Sequence, residues 1–286
     1  MKKNHKTILQ NSLFLLPWLI GILSFVAYPF AYSLYISFHE VKVNGEGTGL
    51  DYTYIGFDNF KYAFVSDNIF PVEMMLFFNE LLFIVPLTVL FALLVAVLLN
   101  QKFKGRMFFR AIFFLPVIFA TGQVLLELVG QGQGALPFDE QYDVTTIVYS
   151  LFPPSIAGTL VSLISKFVII LWYSGIQIII FLAAFQTIPP STFEAANIDG
   201  ATPWESFWKI TFPVIVPFIF LNLIYTLVEQ SINPFNPVLR HIINSMSDIK
   251  TGYGYAGALG WIYFIIIMIP IVLLLAVAGR KNRRKA

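Results

Sequence analysis

The chain has 286 residues, of which 57% are hydrophobic, 17% aromatic and only 12% charged. An average soluble domain is about 45–50% apolar and about 25% charged, so this composition excludes an ordinary soluble globule. The absence of cysteine excludes disulfides and thiolate chemistry, three histidines predict no histidine-built metal site, and a net charge of +2 gives no reason to expect nucleic acid as a partner.

Long stretches nearly free of Asp, Glu, Lys and Arg predict six membrane-spanning helices. A bilayer core requires about 20 mostly apolar residues per helix, because no water is present there to bind exposed peptide groups. The predicted spans cover approximately residues 8–37, 77–100, 108–129, 162–186, 212–232 and 256–279. A signal peptide is an alternative for the first, but its apolar run is too long and lacks a small-residue cleavage site. We therefore expect an all-α integral membrane protein with one transmembrane domain over residues 1–286.

The distribution of basic residues predicts that both termini are cytoplasmic. With six spans the two termini share one side, and that side carries 13 of the Lys and Arg residues. The opposite side carries four, namely Lys42, Lys61, Arg240 and Lys250. Cytoplasmic loops are enriched in Lys and Arg, so the richer side faces the cytoplasm.

The cytoplasmic loop between the fourth and fifth spans, residues 189–213, predicts a helix, a tight turn and a second helix. Two capping boxes are indicated, one from Ser191 to Glu194 and one from Thr202 to Glu205. Asp199 and Gly200 between them form a turn signal. The loop also carries large aromatic side chains, which fit either a docking surface for another protein or the aromatic belt of the membrane interface.

Polar side chains inside the spans follow helical spacing and predict the lining of a passage. Asn222, Tyr225 and Glu229 lie at i, i+3 and i+7 of the fifth span, and Tyr173 and Gln177 lie one turn apart on the fourth. Their hydroxyl, amide and aromatic groups suit a sugar. The alternative is that such groups only join helices to one another.

The chain contains no G-x-x-x-x-G-K-[ST] loop for ATP phosphates and no H-E-x-x-H or G-x-S-x-G motif. We therefore expect no catalytic residue, no metal site and no cofactor in this chain. A transport function then requires energy from a partner.

Three segments and the cytoplasmic loop resemble one family. The loop reads A-A-N-I-D-G-A-T-P-W-E-S-F-W-K-I-T-F-P from Ala195, directly after Glu194, and resembles the "EAA" loop of the membrane-spanning subunits of ATP-binding cassette (ABC) importers, in their carbohydrate-uptake branch. Phe212 replaces the usual leucine. Three other segments resemble the same family: L-L-P-W-L-I-G-I-L from Leu15, F-D-N-F from Phe57 and G-R-M-F-F-R-A-I-F-F-L-P from Gly105.

The resemblance implies that the loop couples ATP hydrolysis on a separate subunit to movement of the spans. The residues that match the family loop, or lie in its turn, are Glu194, Ala195, Ala196, Asp199, Gly200, Ala201, Ile210 and Pro213. It also implies a second permease subunit, two ATPase subunits that bind ATP and Mg²⁺, and an extracytoplasmic solute-binding protein, all associated with the lipid bilayer.

The implied function is import of a carbohydrate across the bacterial cytoplasmic membrane, and we expect the carbohydrate to be an oligosaccharide. A glycerol phosphate ester is an alternative solute, but a phosphate would favour several basic groups along the passage and only Lys166 is available there. A transporter unrelated to ABC systems, or a membrane enzyme, is the alternative from another class.

Overall fold

The computed structural model describes residues 5–43, 49–101, 103–119, 144–248 and 252–283, and nearly all of them are helical. In chain order the elements are α1 (His5–Ile22), a π-helical segment (Leu23–Ala27), α2 (Tyr28–Ser37), β1 (His39–Val43), β2 (Leu50–Tyr54), α3 (Asp58–Val65), α4 (Phe70–Asn100), α5 (Arg106–Phe119), α6 (Val144–Leu151), α7 (Pro154–Tyr173), α8 (Gly175–Gln186), α9 (Pro190–Ile198), α10 (Pro203–Ser206), a second π-helical segment (Phe207–Thr211), α11 (Phe212–Ser231), α12 (Pro237–Ser247) and α13 (Gly252–Arg283).

Within these described ranges, four helical stretches are long and apolar enough to cross a membrane. They are Phe14–Ser37, Phe70–Asn100, Pro203–Ser231 and Gly252–Arg280. A fifth crossing results if α8 and α9, which meet at 63°, are taken as one broken span. The sequence predicted spans at the four long stretches and over α8, whereas it assigned α9 to the cytoplasmic loop.

The other predicted spans differ from single straight helices or extend beyond the described ranges. The third, 108–129, begins in α5 and continues into residues 120–143, which lie outside the described ranges. The fourth, 162–186, is divided, because α7 ends at Tyr173 and α8 begins at Gly175. The hydroxyl of Ser174 at this break donates to the carbonyl of Leu171 at 3.0 Å. A serine that bonds to a nearby backbone carbonyl weakens the regular helix, and a following glycine weakens it further.

The chain divides into two compact units, and the first comprises Met1–Met75 with Pro237–Ile266. In this unit β1 and β2 form an antiparallel hairpin in which His39 faces Tyr54 and Val43 faces Leu50. The start of α13 packs against the end of α2 and the start of β1, because Gly254 leaves room for the carbonyl of His39. A Cβ atom on Gly254 would lie 1.9 Å from that oxygen.

The second unit comprises Leu76–Asn236 with Ile267–Ala286. Its buried apolar core is formed by one face each of α4, α8 and α11. The buried residues are Val89, Ala92, Val95, Ala96, Leu99, Ile178, Phe181, Leu182, Ala184, Phe185 and Ile215. Alanines at three of these positions let the helices approach closely, as small residues do in membrane bundles. This packing places the polar face of α11 against α8.

Candidate functional site

A polar cluster lies between α8 and α11, and Gln177 is at its centre. The side chain of Gln177 is fully buried. Its amide nitrogen donates to Thr226 Oγ1 at 3.0 Å and to Glu229 Oε2 at 2.8 Å. The amide of Asn222 donates a longer bond, 3.5 Å, to the backbone carbonyl of Gln177. The helices are therefore joined by hydrogen bonds deep inside an apolar bundle.

Helical spacing explains why α11 presents these groups together. Asn222, Thr226 and Glu229 follow one another at intervals of four and three residues, which places them on one face of the helix. Tyr225 precedes Glu229 by one turn and is half-buried. The same face continues past the end of α11 to Asn233, whose amide donates to Tyr173 Oη at 2.6 Å.

Three atoms of this region are buried without a hydrogen-bond partner among the described residues. They are Gln177 Oε1, Asn222 Oδ1 and Gln230 Nε2. Buried amide groups in native proteins are normally paired, so an unpaired group is a functional candidate. The two oxygens can accept hydrogen bonds from the hydroxyl groups of a polyol, and the nitrogen can donate a hydrogen bond to such a group.

All five residues predicted to line the passage lie in this region of the second unit. The structure places Asn222 and Glu229 within hydrogen-bond distance of Gln177 and Tyr225 on the same helix face. Tyr173 lies on α7, four residues before Gln177, and its hydroxyl accepts from the amide of Asn233. Prediction from the sequence missed Asn233, because the predicted fifth span ended at residue 232. Its position four residues after Glu229 is the signal that could have found it.

The cytoplasmic loop of the prediction contains two short helices separated by a turn at Gly200. Gly200 has a φ of +77°, a backbone conformation that favours glycine. The capping box of Thr202 and Glu205 is confirmed. The backbone amide of Thr202 donates to Glu205 Oε2 at 3.0 Å, and the backbone amide of Glu205 donates to Thr202 Oγ1 at 3.2 Å. The box predicted for Ser191 and Glu194 is wrong. Pro189 is the N-cap of α9, with no side-chain cap, because Pro190 fits the first helical position.

The residues predicted to couple transport to ATP hydrolysis divide into an exposed set and a packed set. Glu194, Ala195, Asp199 and Gly200 are exposed, whereas Ala196 is buried. The remaining three, Ala201, Ile210 and Pro213, are half-buried. Two large apolar side chains of the same loop are also exposed, Ile198 to 87% and Trp204 to 69%. Such a surface is typical of a site that another protein covers.

A second polar cluster lies in the first unit, around Asp67. Its carboxylate accepts bonds from the amides of Ile69 and Phe70 at the start of α4, from His241 Nε2 at 2.8 Å and from Tyr255 Oη at 2.5 Å. Burial raises the pKa of Asp67, but these four donors outweigh it and lower the pKa to about 2. The cluster joins α4, α12 and α13 outside the spans predicted from the sequence.

The apolar helices define a multi-pass membrane protein in which a polar cluster lies between two of the helices. No family model matches the chain. The chain is 31% identical to the probable ABC transporter permease protein YesP of Bacillus subtilis, covering 96% of this chain and 93% of that protein. It is 28% identical to the multiple sugar-binding transport system permease protein MsmF of Streptococcus mutans, covering 91% and 92%.

The fold is found in a solved structure as well. A chain in the crystal structure of a bacterial alginate ABC transporter, in complex with an alginate pentasaccharide-bound periplasmic protein, superposes with a TM-score of 0.65 at 24% identity. The match covers 98% of this chain and 96% of that chain. The chain belongs to the ABC transporter permease family. It is accordingly a multi-pass protein of the cytoplasmic membrane.

Proposed function

We propose that this chain is a membrane-spanning subunit of an ATP-driven importer for a carbohydrate, an oligosaccharide delivered by an extracytoplasmic binding protein. The observation that carries the proposal is the cluster of Gln177, Asn222 and Glu229, in which two buried amide oxygens have no hydrogen-bond partner in the part of the chain that the structure describes. Uncharged hydroxyl groups can donate to those oxygens, and the half-buried Tyr225 beside them offers a ring face. The sugar permease among the relatives supports the same solute class.

The proposal includes the partners that supply energy and substrate. The chain has no phosphate-binding loop, so ATP and Mg²⁺ bind to two separate ATPase subunits. A second permease subunit completes the passage. An extracytoplasmic solute-binding protein supplies the sugar.

The proposed topology has six spans, with both termini and residues 189–213 on the cytoplasmic side. The 13 to 4 distribution of basic residues supports this orientation. The exposed surface of Glu194, Ala195 and Asp199 would then contact an ATPase subunit. The packed residues Ala196, Ile210 and Pro213 would transmit the movement into α11.

The test is ATP hydrolysis by the complete complex, reconstituted with its binding protein and exposed to a panel of neutral oligosaccharides, acidic oligosaccharides and glycerol 3-phosphate. We expect stimulation by at least one oligosaccharide and none by glycerol 3-phosphate. Stimulation by the phosphate ester alone would contradict the solute class. Purification without any ATPase subunit, combined with uptake driven by an ion gradient, would contradict the transporter class.

A further inference from the structure

A basic cluster at the turn between α4 and α5 shares no residue with either polar cluster and has no role in the proposed transport. It consists of Lys104, Arg106 and Arg110. The first precedes α5, the second begins it, and the third follows one turn later on the same helix face. Within the described ranges none of the three forms an ion pair with a carboxylate.

The sequence around the cluster offers no carboxylate to neutralise it. No Asp or Glu occurs between Glu80 and Glu127, a stretch that includes all of α5 and most of α4. Two arginines one turn apart repel each other. Arg106 also stands at the positive end of the α5 dipole, where a cation is unfavourable. An anion bound between these side chains would relieve both effects.

The side chain of Arg110 is oriented by the end of α4 and retains unused donors. Its Nη2 atom donates to the carbonyl of Leu99 at 3.3 Å, which holds the guanidinium against the last turn of α4. Its Nε atom is buried and has no hydrogen-bond partner among the described residues. A guanidinium has five N–H donors, and its planar fork matches the oxygens of a phosphate.

The surface next to the cluster is apolar. Met107 is 86% and Phe108 66% exposed, and Phe103 and Phe109 are also exposed. Basic side chains beside exposed aromatic and aliphatic groups are typical of a helix end at the headgroup level of a bilayer. A soluble anion would not require this apolar neighbourhood, whereas the acyl chains of a lipid would.

We propose that Lys104, Arg106 and Arg110 bind the phosphate of an anionic phospholipid, with its acyl chains against Met107 and Phe108. Phosphatidylglycerol is the probe that represents this class. The placement of the cluster at the cytoplasmic leaflet rests on the proposed topology. The binding itself does not depend on which solute is transported.

The test is a lipid titration of the purified full-length chain, read by native mass spectrometry, with phosphatidylglycerol compared with phosphatidylcholine. Each basic residue near an anionic surface contributes about 1 kcal/mol, or about fivefold in affinity. We therefore expect the double variant Lys104→Gln, Arg106→Gln to bind phosphatidylglycerol about 25-fold more weakly, with phosphatidylcholine unchanged. The control Lys61→Gln removes an exposed cation that already pairs with Asp58, and should leave both lipids unaffected.

A second variant separates charge from geometry. Arg106→Lys, Arg110→Lys keeps both charges and removes the planar forks, so phosphatidylglycerol affinity should fall less than in the glutamine variant but below that of the wild type. Unchanged affinity in the glutamine variant would overturn the proposal. Displacement of the lipid by millimolar inorganic phosphate would assign the cluster to a soluble anion, and displacement by the ATPase subunits would assign it to a protein contact. A negative lipid result leaves the ATPase stimulation by sugar intact, so the two proposals fail separately.

Discussion

At the scale of single residues, Gln177 joins two helices and is also a proposed contact of the transported solute. It joins α8 to α11 through Thr226 and Glu229, and one of its buried oxygens has no hydrogen-bond partner among the residues described. A side chain that only joined helices would have no reason to leave that acceptor free. Structural and transport effects of its substitution must therefore be measured side by side.

Replacement of Gln177 by leucine should destabilise the protein by about 2 kcal/mol, because the substitution leaves the half-buried Glu229 without its amide donor. Thermal unfolding in detergent measures the effect, and ATPase stimulation by sugar should be lost in the same variant. Gln186→Leu is the matched control, since Gln186 lies on the same helix and is exposed. Equal stability of the two variants would contradict the role of the amide.

The lowered pKa of Asp67 predicts that the protein loses stability in acid. Its pKa is lowered from the ordinary 3.8 to about 2, so its stabilising effect is complete above pH 4 and is lost as the pH falls through about 2. The variant Asp67→Asn should be less stable at neutral pH and should show a smaller loss of stability below pH 4. Asp58→Asn, at an exposed site, provides the control. Identical pH profiles of the wild type and Asp67→Asn would contradict this assignment.

At the scale of elements, the start of α13 depends on the absence of side chains. The Cβ atom of an alanine at position 254 would lie 1.9 Å from the carbonyl oxygen of His39, which is backbone and cannot rotate away. Helices in membranes commonly approach each other at such small residues. The hairpin of β1 and β2 begins at His39, so its position depends on the contact between His39 and Gly254.

Gly254→Ala should therefore destabilise the protein by about 3 kcal/mol, at the upper end of what overpacking costs. Gly260→Ala is the control on the same helix, because a Cβ atom there meets nothing within 4 Å. That change should be neutral or stabilising by up to about 1 kcal/mol, since alanine favours a helix more than glycine. The test is to measure the apparent melting temperature of each variant and to compare it with that of the wild type.

At the scale of the whole molecule, the turn at Gly200 tests the coupling between ATP hydrolysis and transport. A Cβ atom at Gly200 meets nothing within 4 Å, so its positive φ, and not lack of space, is the constraint. Gly200→Val should distort the turn and leave a complex that hydrolyses ATP but takes up less than about a tenth of the sugar. Gly200→Asn should retain most of the uptake, because asparagine tolerates this conformation.

Parallel measurements of uptake and hydrolysis in proteoliposomes distinguish the two variants. Normal uptake by Gly200→Val would contradict a coupling role for residues 189–213. Loss of hydrolysis as well as uptake would instead indicate that the complex no longer assembles.

The sequence alone determined the features that depend on neighbours within a few residues. Apolar runs predicted helices at each stretch that is long enough to span, the spacing of Asn222 and Glu229 predicted a polar face, and Thr202 with Glu205 predicted a cap. Each follows from local geometry. The same cap signature at Ser191 and Glu194 failed, because the helix begins earlier, at Pro190. The divided fourth span escaped prediction because a serine and a glycine in an apolar run break a helix only in some surroundings.

The tertiary structure alone decided which groups meet. Gln177 and Glu229 are 52 residues apart, and Asp67 lies 174 residues before His241 and 188 before Tyr255. No local pattern encodes such pairs, because the partner is selected by the packing of whole helices. The close approach at Gly254 and the bond from Asn233 to Tyr173 have the same origin. Periodicity shows which face of a helix is polar, and only the packed bundle shows what that face contacts.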